Sequence, residues 1–139
     1  MKLVAYIDGS SMGNPGEAGY GVVLKDEKGI VLNVLGRFIG KATNNVAEYR
    51  ALLGCLELVE HYNVHHLTVY SDSQLLVNQM MGTYKVKKQH LEVLHSQALD
   101  AIKEGSIRFS IHYIPREENR EADGLARRAI RLRSEIREI

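Results

Sequence analysis

Cysteine is nearly absent. Cys55 is the only one in 139 residues, which excludes an internal disulfide framework and a multi-thiolate zinc site. Long apolar runs are missing as well: no stretch approaches the roughly 20 residues that a membrane-spanning helix needs. The run Leu3 to Ile7 is too short for the core of a secretory signal and is broken by Asp8, so a cytoplasmic protein is expected. There are no internal repeats, low-complexity tracts or Pro/Gly/Ser-rich linkers, and residues 1–139 read as one domain. Neither charge sign dominates. The formal net charge is +1, so the field of the whole molecule says little about partners.

What is present suits a globular α/β domain, with 45% apolar and 25% charged residues. Residues 2–8 read as a strand, 19–25 as a second and 30–39 as a third, the last two joined by the hairpin signal Asp26-Glu27-Lys28-Gly29. From Asn45 to Tyr62 the period becomes helical, with Leu52, Cys55, Leu56 and Val59 on one side. Cys55 there reads as a small buried apolar residue. Residues 66–71 form a fourth strand, 72–81 a short helix, 88–103 another helix, 107–114 a fifth strand and 118–136 a closing helix. Strands four and five, each reached through helices, are expected to add in parallel to an antiparallel meander. The expected architecture is a five-stranded mixed sheet flanked by helices.

Four acidic residues sit in places that invite a second reading. Asp8 ends an apolar strand before Gly9-Ser10, as a turn-forming Asp also would. Glu48 shares its helix face with Leu52, Cys55 and Val59, where a bare carboxylate is costly without a cation or donor. A capping box with Asn45 accounts for it equally well. Asp72 follows the fourth strand, either as a helix N-cap or as a carboxylate at the carboxyl end of a strand, where open α/β sheets keep their sites. Asp123 lies inside the last helix, four residues before Arg127, and an ion pair on a wet face explains it. Acids gathered at one sheet edge need cations to stay ionised together. Hard oxygen ligands suit Mg²⁺ or Mn²⁺, and two such ions about 4 Å apart form the usual apparatus for displacement at a phosphodiester.

The local sequences carry a family resemblance. Ile7-Asp8-Gly9-Ser10, continuing to Gly13-Asn14-Pro15-Gly16 and Gly19-Tyr20-Gly21, resembles the opening of type 1 ribonuclease H. So do Thr43-Asn44-Asn45-Val46-Ala47-Glu48, Tyr70-Ser71-Asp72-Ser73-Gln74 and Asn119-Arg120-Glu121-Ala122-Asp123-Gly124-Leu125-Ala126. Four ordered motifs spanning residues 7 to 126 are far more specific than any one of them. The resemblance implies an α/β ribonuclease H-like fold and a tetrad of Asp8, Glu48, Asp72 and Asp123 holding two Mg²⁺ or Mn²⁺ ions. It also implies hydrolysis of the RNA strand of RNA/DNA hybrids, leaving 3′-hydroxyl and 5′-phosphate ends. Asn14, Asn45 and Gln74 fall where the family contacts the RNA minor groove, and Thr43 and Ser73 where it holds a DNA phosphate; Asn44 belongs to the same motif. Short polar groups of this kind can test for a 2′-hydroxyl without reading sequence.

Two features depart from the family pattern. There is no Trp, and Gly82-Thr83-Tyr84-Lys85-Val86-Lys87-Lys88 runs almost directly into the next helix. The basic protrusion of many members is therefore absent, as in the short archaeal-type subgroup. Lys85, Lys87 and Lys88 stand in for its phosphate contacts in part, or form a solvated helix start. The connection Ile114-Pro115-Arg116-Glu117-Glu118 is too short for a mobile loop with a catalytic histidine, His112 falls in a strand, and Arg116 is the nearest group for a phosphate or product contact. Two competing readings are a hybrid- or RNA-binding module that does not cut, and an exonuclease or strand-transfer enzyme of the same broad fold. The complete tetrad argues against the first, and the Gly-Asn-Pro-Gly and Thr-Asn-Asn elements against the second. Cleavage of double-stranded RNA is left open, and nothing in the sequence calls for a protein partner.

Overall fold

A computed structural model describes residues 1–138. In chain order the elements are β1 (Lys2–Gly13), β2 (Gly16–Asp26), β3 (Val31–Ala42), α1 (Asn44–Val59), β4 (His66–Ser71), α2 (Gln74–Met80), α3 (Gln89–Glu104), β5 (Arg108–Tyr113), α4 (Arg120–Leu132) and β6 (Ile136–Glu138). The sheet runs β5-β4-β1-β2-β3-β6. β1, β2 and β3 form the expected antiparallel meander, and β4 and β5 add in parallel beside β1. The β2–β3 turn closes on Asp26, whose carboxylate accepts from the amides of Lys28 and Ile30, while Gly29 takes a positive φ of 84°.

Alternation sends Leu3, Ala5 and Ile7 of β1, with Leu67 and Val69 of β4 and Ile111 of β5, into one fully buried layer. Leu52, Cys55, Leu56 and Val59 of α1 and Leu91 and Ala98 of α3 cover it. Burial drives the Cys55 thiol up to about 12, so it stays a protonated apolar filler. The opposite face is covered by α4, which packs on β1, β2 and β3. Its buried residues are small or compact (Ala122, Ala126, Ala129 and Ile130) and they approach a row of glycines. A Cβ on Gly21 would lie 2.2 Å from the Ala122 carbonyl oxygen, and one on Gly36 would lie 2.9 Å from that of Leu125.

Two expectations are corrected here. The closing helix does not reach residue 136: it stops at Leu132, and Arg133 caps it in the left-handed region at φ 51°. The chain then turns back, and Ile136 pairs with Gly36 of β3, making a sixth strand where five were expected. Burial of Ile136 at that edge, which further helix would not provide, is the gain that favours the strand.

Candidate active site

Register places the acids. β4 runs parallel beside β1 with Ser71 opposite Ile7, so the next residues, Asp8 and Asp72, occupy neighbouring positions on adjacent chains. Glu48 arrives from α1 because Gly9 has no side chain. A Cβ there would stand 2.3 Å from the Glu48 backbone nitrogen, so only glycine lets the helix rest on the strand end. The Gly9 amide donates to Glu48 Oε1 at 2.7 Å. Carboxylate oxygens of Asp8, Glu48 and Asp72 all lie within 4.8 Å of one another. Asp123, in the first turn of α4, lines the same cavity of about 440 Å³, with Tyr113, Arg116 and Arg127 on its walls.

Local hydrogen bonds decide between the alternatives that the sequence left open. Glu48 takes part in no capping box: Thr43 is the N-cap of α1, and its hydroxyl accepts from the Val46 amide at 3.2 Å. Asp72 is not a cap either, because Ser73 performs that task for α2, accepting from the Leu76 amide at 3.1 Å. Asp123 does pair with Arg127, at 3.2 Å, while still lining the cavity.

Asp8 is only 4% exposed. Burial first, then the charges of Glu48 and Asp72, hold its carboxyl far above the usual carboxylate range. Burial also raises Glu48, against the lowering pull of the Gly9 amide; Asp72 raises it further and Arg116 lowers it. A buried anionic cluster of this kind is stable only when protons or cations neutralise it. The donor set is all carboxylate oxygen and its spacing is close to the span of oxygens around one hard divalent ion, so the residues fit Mg²⁺ or Mn²⁺.

The other expected residues fall into two groups. Asn14 in the β1–β2 turn accepts from the Asn44 amide at 3.0 Å, which ties that turn to the start of α1 and gathers Asn14, Thr43, Asn44 and Asn45 beside Glu48. Ser73 and the exposed Gln74 open α2 directly after Asp72. Lys85, Lys87 and Lys88 lie apart from the acids, lining a separate groove of about 610 Å³ with Asn45, Leu75 and Tyr84. One positioning residue had passed as mere motif. Asn119 is 1% exposed and its amide donates to the Ile7 carbonyl at 2.8 Å, pinning the start of α4 beside Asp8. Its place one turn before Asp123 on the helix wheel was the available signal.

The sheet order, the helices on both faces and the carboxylates at the ends of β1 and β4 define a class: the ribonuclease H-like α/β fold, with an acidic cluster that fits a hard divalent cation. Comparison with known proteins narrows it. The reverse transcriptase-like family model matches residues 6–129. Bifunctional protein Rv2228c of Mycobacterium tuberculosis is 43% identical over 131 residues, covering 94% of this chain and 36% of that protein. Ribonuclease HI of Halobacterium salinarum is 37% identical over 93% of this chain and 64% of its own length. The chain thus spans about a third of the mycobacterial relative and just under two thirds of the halobacterial one. The crystal structure of LC11-RNase H1 in complex with an RNA/DNA hybrid is 40% identical, with a TM-score of 0.90 over 94% of this chain and 98% of that one. The chain belongs to the type 1 ribonuclease H family.

Proposed function

We propose that this chain is a metal-dependent endoribonuclease that cuts the RNA strand of RNA/DNA hybrids, leaving 3′-hydroxyl and 5′-phosphate ends. The observation that carries the reading is the convergence of Asp8, Glu48 and Asp72 within 4.8 Å, with Asp123 on the same cavity. These four residues are the proposed holders of two Mg²⁺ or Mn²⁺ ions. When bound, such ions lower the pKa of an attacking water and neutralise charge at the leaving oxygen. The protein's own part is orientation. The Gly9 amide fixes Glu48, the parallel register fixes Asp72 against Asp8, and Asn119 fixes the helix that carries Asp123.

Asn14, Asn45 and Gln74 are the proposed readers of the RNA minor groove, where a 2′-hydroxyl distinguishes RNA from DNA, and Asn44 of the same motif is a further proposed substrate contact. Thr43 and Ser73 spend their hydroxyls on helix caps and so offer ordered helix starts to a phosphate of the DNA strand. Lys85, Lys87 and Lys88 extend the phosphate contacts along the neighbouring groove. Arg116, whose charge already lowers Glu48, is the proposed contact for the scissile or departing phosphate. LC11-RNase H1, bound to a hybrid in its crystal, supports the substrate class.

The test is cleavage of end-labelled RNA/DNA hybrid, duplex RNA and single-stranded RNA with Mg²⁺, Mn²⁺ or EDTA. Metal-dependent cuts inside the RNA of the hybrid are expected, and cutting of duplex RNA would broaden the substrate class. Tight binding of the hybrid with no cut under either metal would replace the enzyme with a non-cutting hybrid-binding module.

A further inference from the structure

The face of β4 and β5 that points away from α1 and α3 is left open, because α4 packs on β1, β2 and β3 instead. Parallel register lines its side chains into three rows. Lys2, His66 and Arg108 stand side by side, then Val4, Thr68 and Ser110, then Tyr6, Tyr70 and His112. Contacts along the rows agree. The Ser110 hydroxyl donates to Thr68 Oγ1 at 3.5 Å. The Tyr6 and Tyr70 rings stack at 5.2 Å and 25°, and Tyr70 meets His112 at 5.7 Å and 36°. Lys25 closes the inner end of this column, 4.8 Å from the Tyr6 ring centroid.

The column therefore has one open end. His112 is exposed on β5, the edge strand, and a planar group stacked on its outer face would continue the series of rings. The first row is basic, and among the described residues neither Lys2 nor Arg108 has an acidic partner within 4.0 Å. None of the nine residues in the three rows is acidic. Two ladder steps of about 3.3 Å per residue separate each row from the next, so a stacked base at His112 and a phosphate at Arg108 would lie about 13 Å apart along the strands. An aromatic end-plate next to unpaired cations has the composition of a single-stranded nucleic acid platform.

We infer that the open β1–β4–β5 face, through His112, Arg108 and Lys2, binds single-stranded RNA that lies outside the cleavage site. The rows lead directly to that site. The positions after Tyr6 and Tyr70 on the same face are Asp8 and Asp72, so a single-stranded tail on a hybrid would be guided away along the sheet. This surface goes beyond hybrid cleavage and does not require it.

The experiment is titration of ¹⁵N-labelled protein with a short single-stranded RNA in EDTA, alongside anisotropy measurements of its affinity. Amide shifts are expected to cluster on β4 and β5 around residues 66–70 and 108–112. The double variant His112→Ala/Arg108→Ala should weaken binding by about tenfold or more, the loss of one base stack and one phosphate contact. Both residues are exposed, so the fold is expected to persist. His112→Phe, which keeps a ring without the imidazole, should retain most of the affinity. Cleavage of a blunt hybrid by all three proteins reads the active site separately and should be unchanged. Shifts confined to the acids and to the Lys85–Lys88 groove, or affinity that survives the double variant, would overturn the inference.

Discussion

Asp72 and Ser73 stand next to each other and carry out separate tasks, which makes their roles separable. The hydroxyl of Ser73 holds the first turn of α2, and the carboxylate of Asp72 is left to face Asp8 and Glu48. Asp72→Asn removes a charge that repels Asp8 and Glu48, so stability of the metal-free protein should be kept or rise, while hydrolysis should fall by at least about a hundredfold. Ser73→Ala should instead cost about 1 kcal/mol of stability and weaken binding of the hybrid, with kcat largely kept at temperatures where the protein stays folded. Thermal melts and hybrid-cleavage rates on the two variants check the pair. An active Asp72→Asn protein would remove Asp72 from the tetrad. Sequence reasoning had offered capping as an explanation for Asp72 and for Glu48, and both times the true cap was a hydroxyl nearby, Ser73 and Thr43. Caps are chosen by backbone geometry at a boundary, and boundaries are the least legible part of a helix.

At the scale of elements, the site depends on close approach. α4 comes near enough to carry Asp123 to the sheet because Gly21 leaves room for the Ala122 carbonyl. Gly21→Ala should push the helix outward and cost about 1–3 kcal/mol, as overpacking does. Activity should fall further than stability, since Asp8 lies directly across the ladder from Gly21. Denaturant melts compared with cleavage rates at a temperature where both proteins are folded would show it; a variant with parental rate would mean that the helix position is not critical. The meander, the two parallel strands and the helical stripe of α1 were legible because alternation and the 3.6-residue period follow directly from which face is buried. The end of α4 was not. Arg133 takes a left-handed cap that glycine usually marks, and β6 pairs through only three residues, Ile136 to Glu138, whose pattern carries no period. The open column of Tyr6, Tyr70 and His112 was equally hidden, since its members come from three strands and meet only through register.

For the whole molecule, the acid cluster is expected to make stability depend on pH and on a divalent ion together. Burial raises Asp8 and Glu48 above their unfolded values. Each therefore contributes stability that is fully present below the unfolded pKa, about 4 for carboxylates, and is lost as pH rises through the folded value. Metal-free protein should accordingly lose stability at this site as pH rises from about 4, through about 8 for Glu48 and about 10 for Asp8, and a divalent ion that holds the ionised form should restore it. Millimolar Mg²⁺ is expected to raise the melting temperature by several degrees at pH 8 and by little at pH 5. Scanning calorimetry at the two pH values, with Ca²⁺ as a non-catalytic comparison, tests this without any assay of cleavage. An equal shift at both would mean that the ion binds elsewhere.

The seating of α4 on glycines has one more consequence. Alanine side chains against bare backbone fix little rotamer freedom and bury little apolar area apiece, so beyond fit this helix relies on the single larger buried apolar residue Ile130, on Asn119, on exposed ion pairs to β2 and on the short β6 that follows it. Such an element is a natural unit of local opening, lifting from the sheet while the core under α1 and α3 stays closed. If Asp123 helps to hold the ions, every opening of α4 also dismantles part of their coordination. Occupancy of the centre and amide protection along α4 then become two readouts of one equilibrium, and the chain's own closing segment works as the latch on its chemistry.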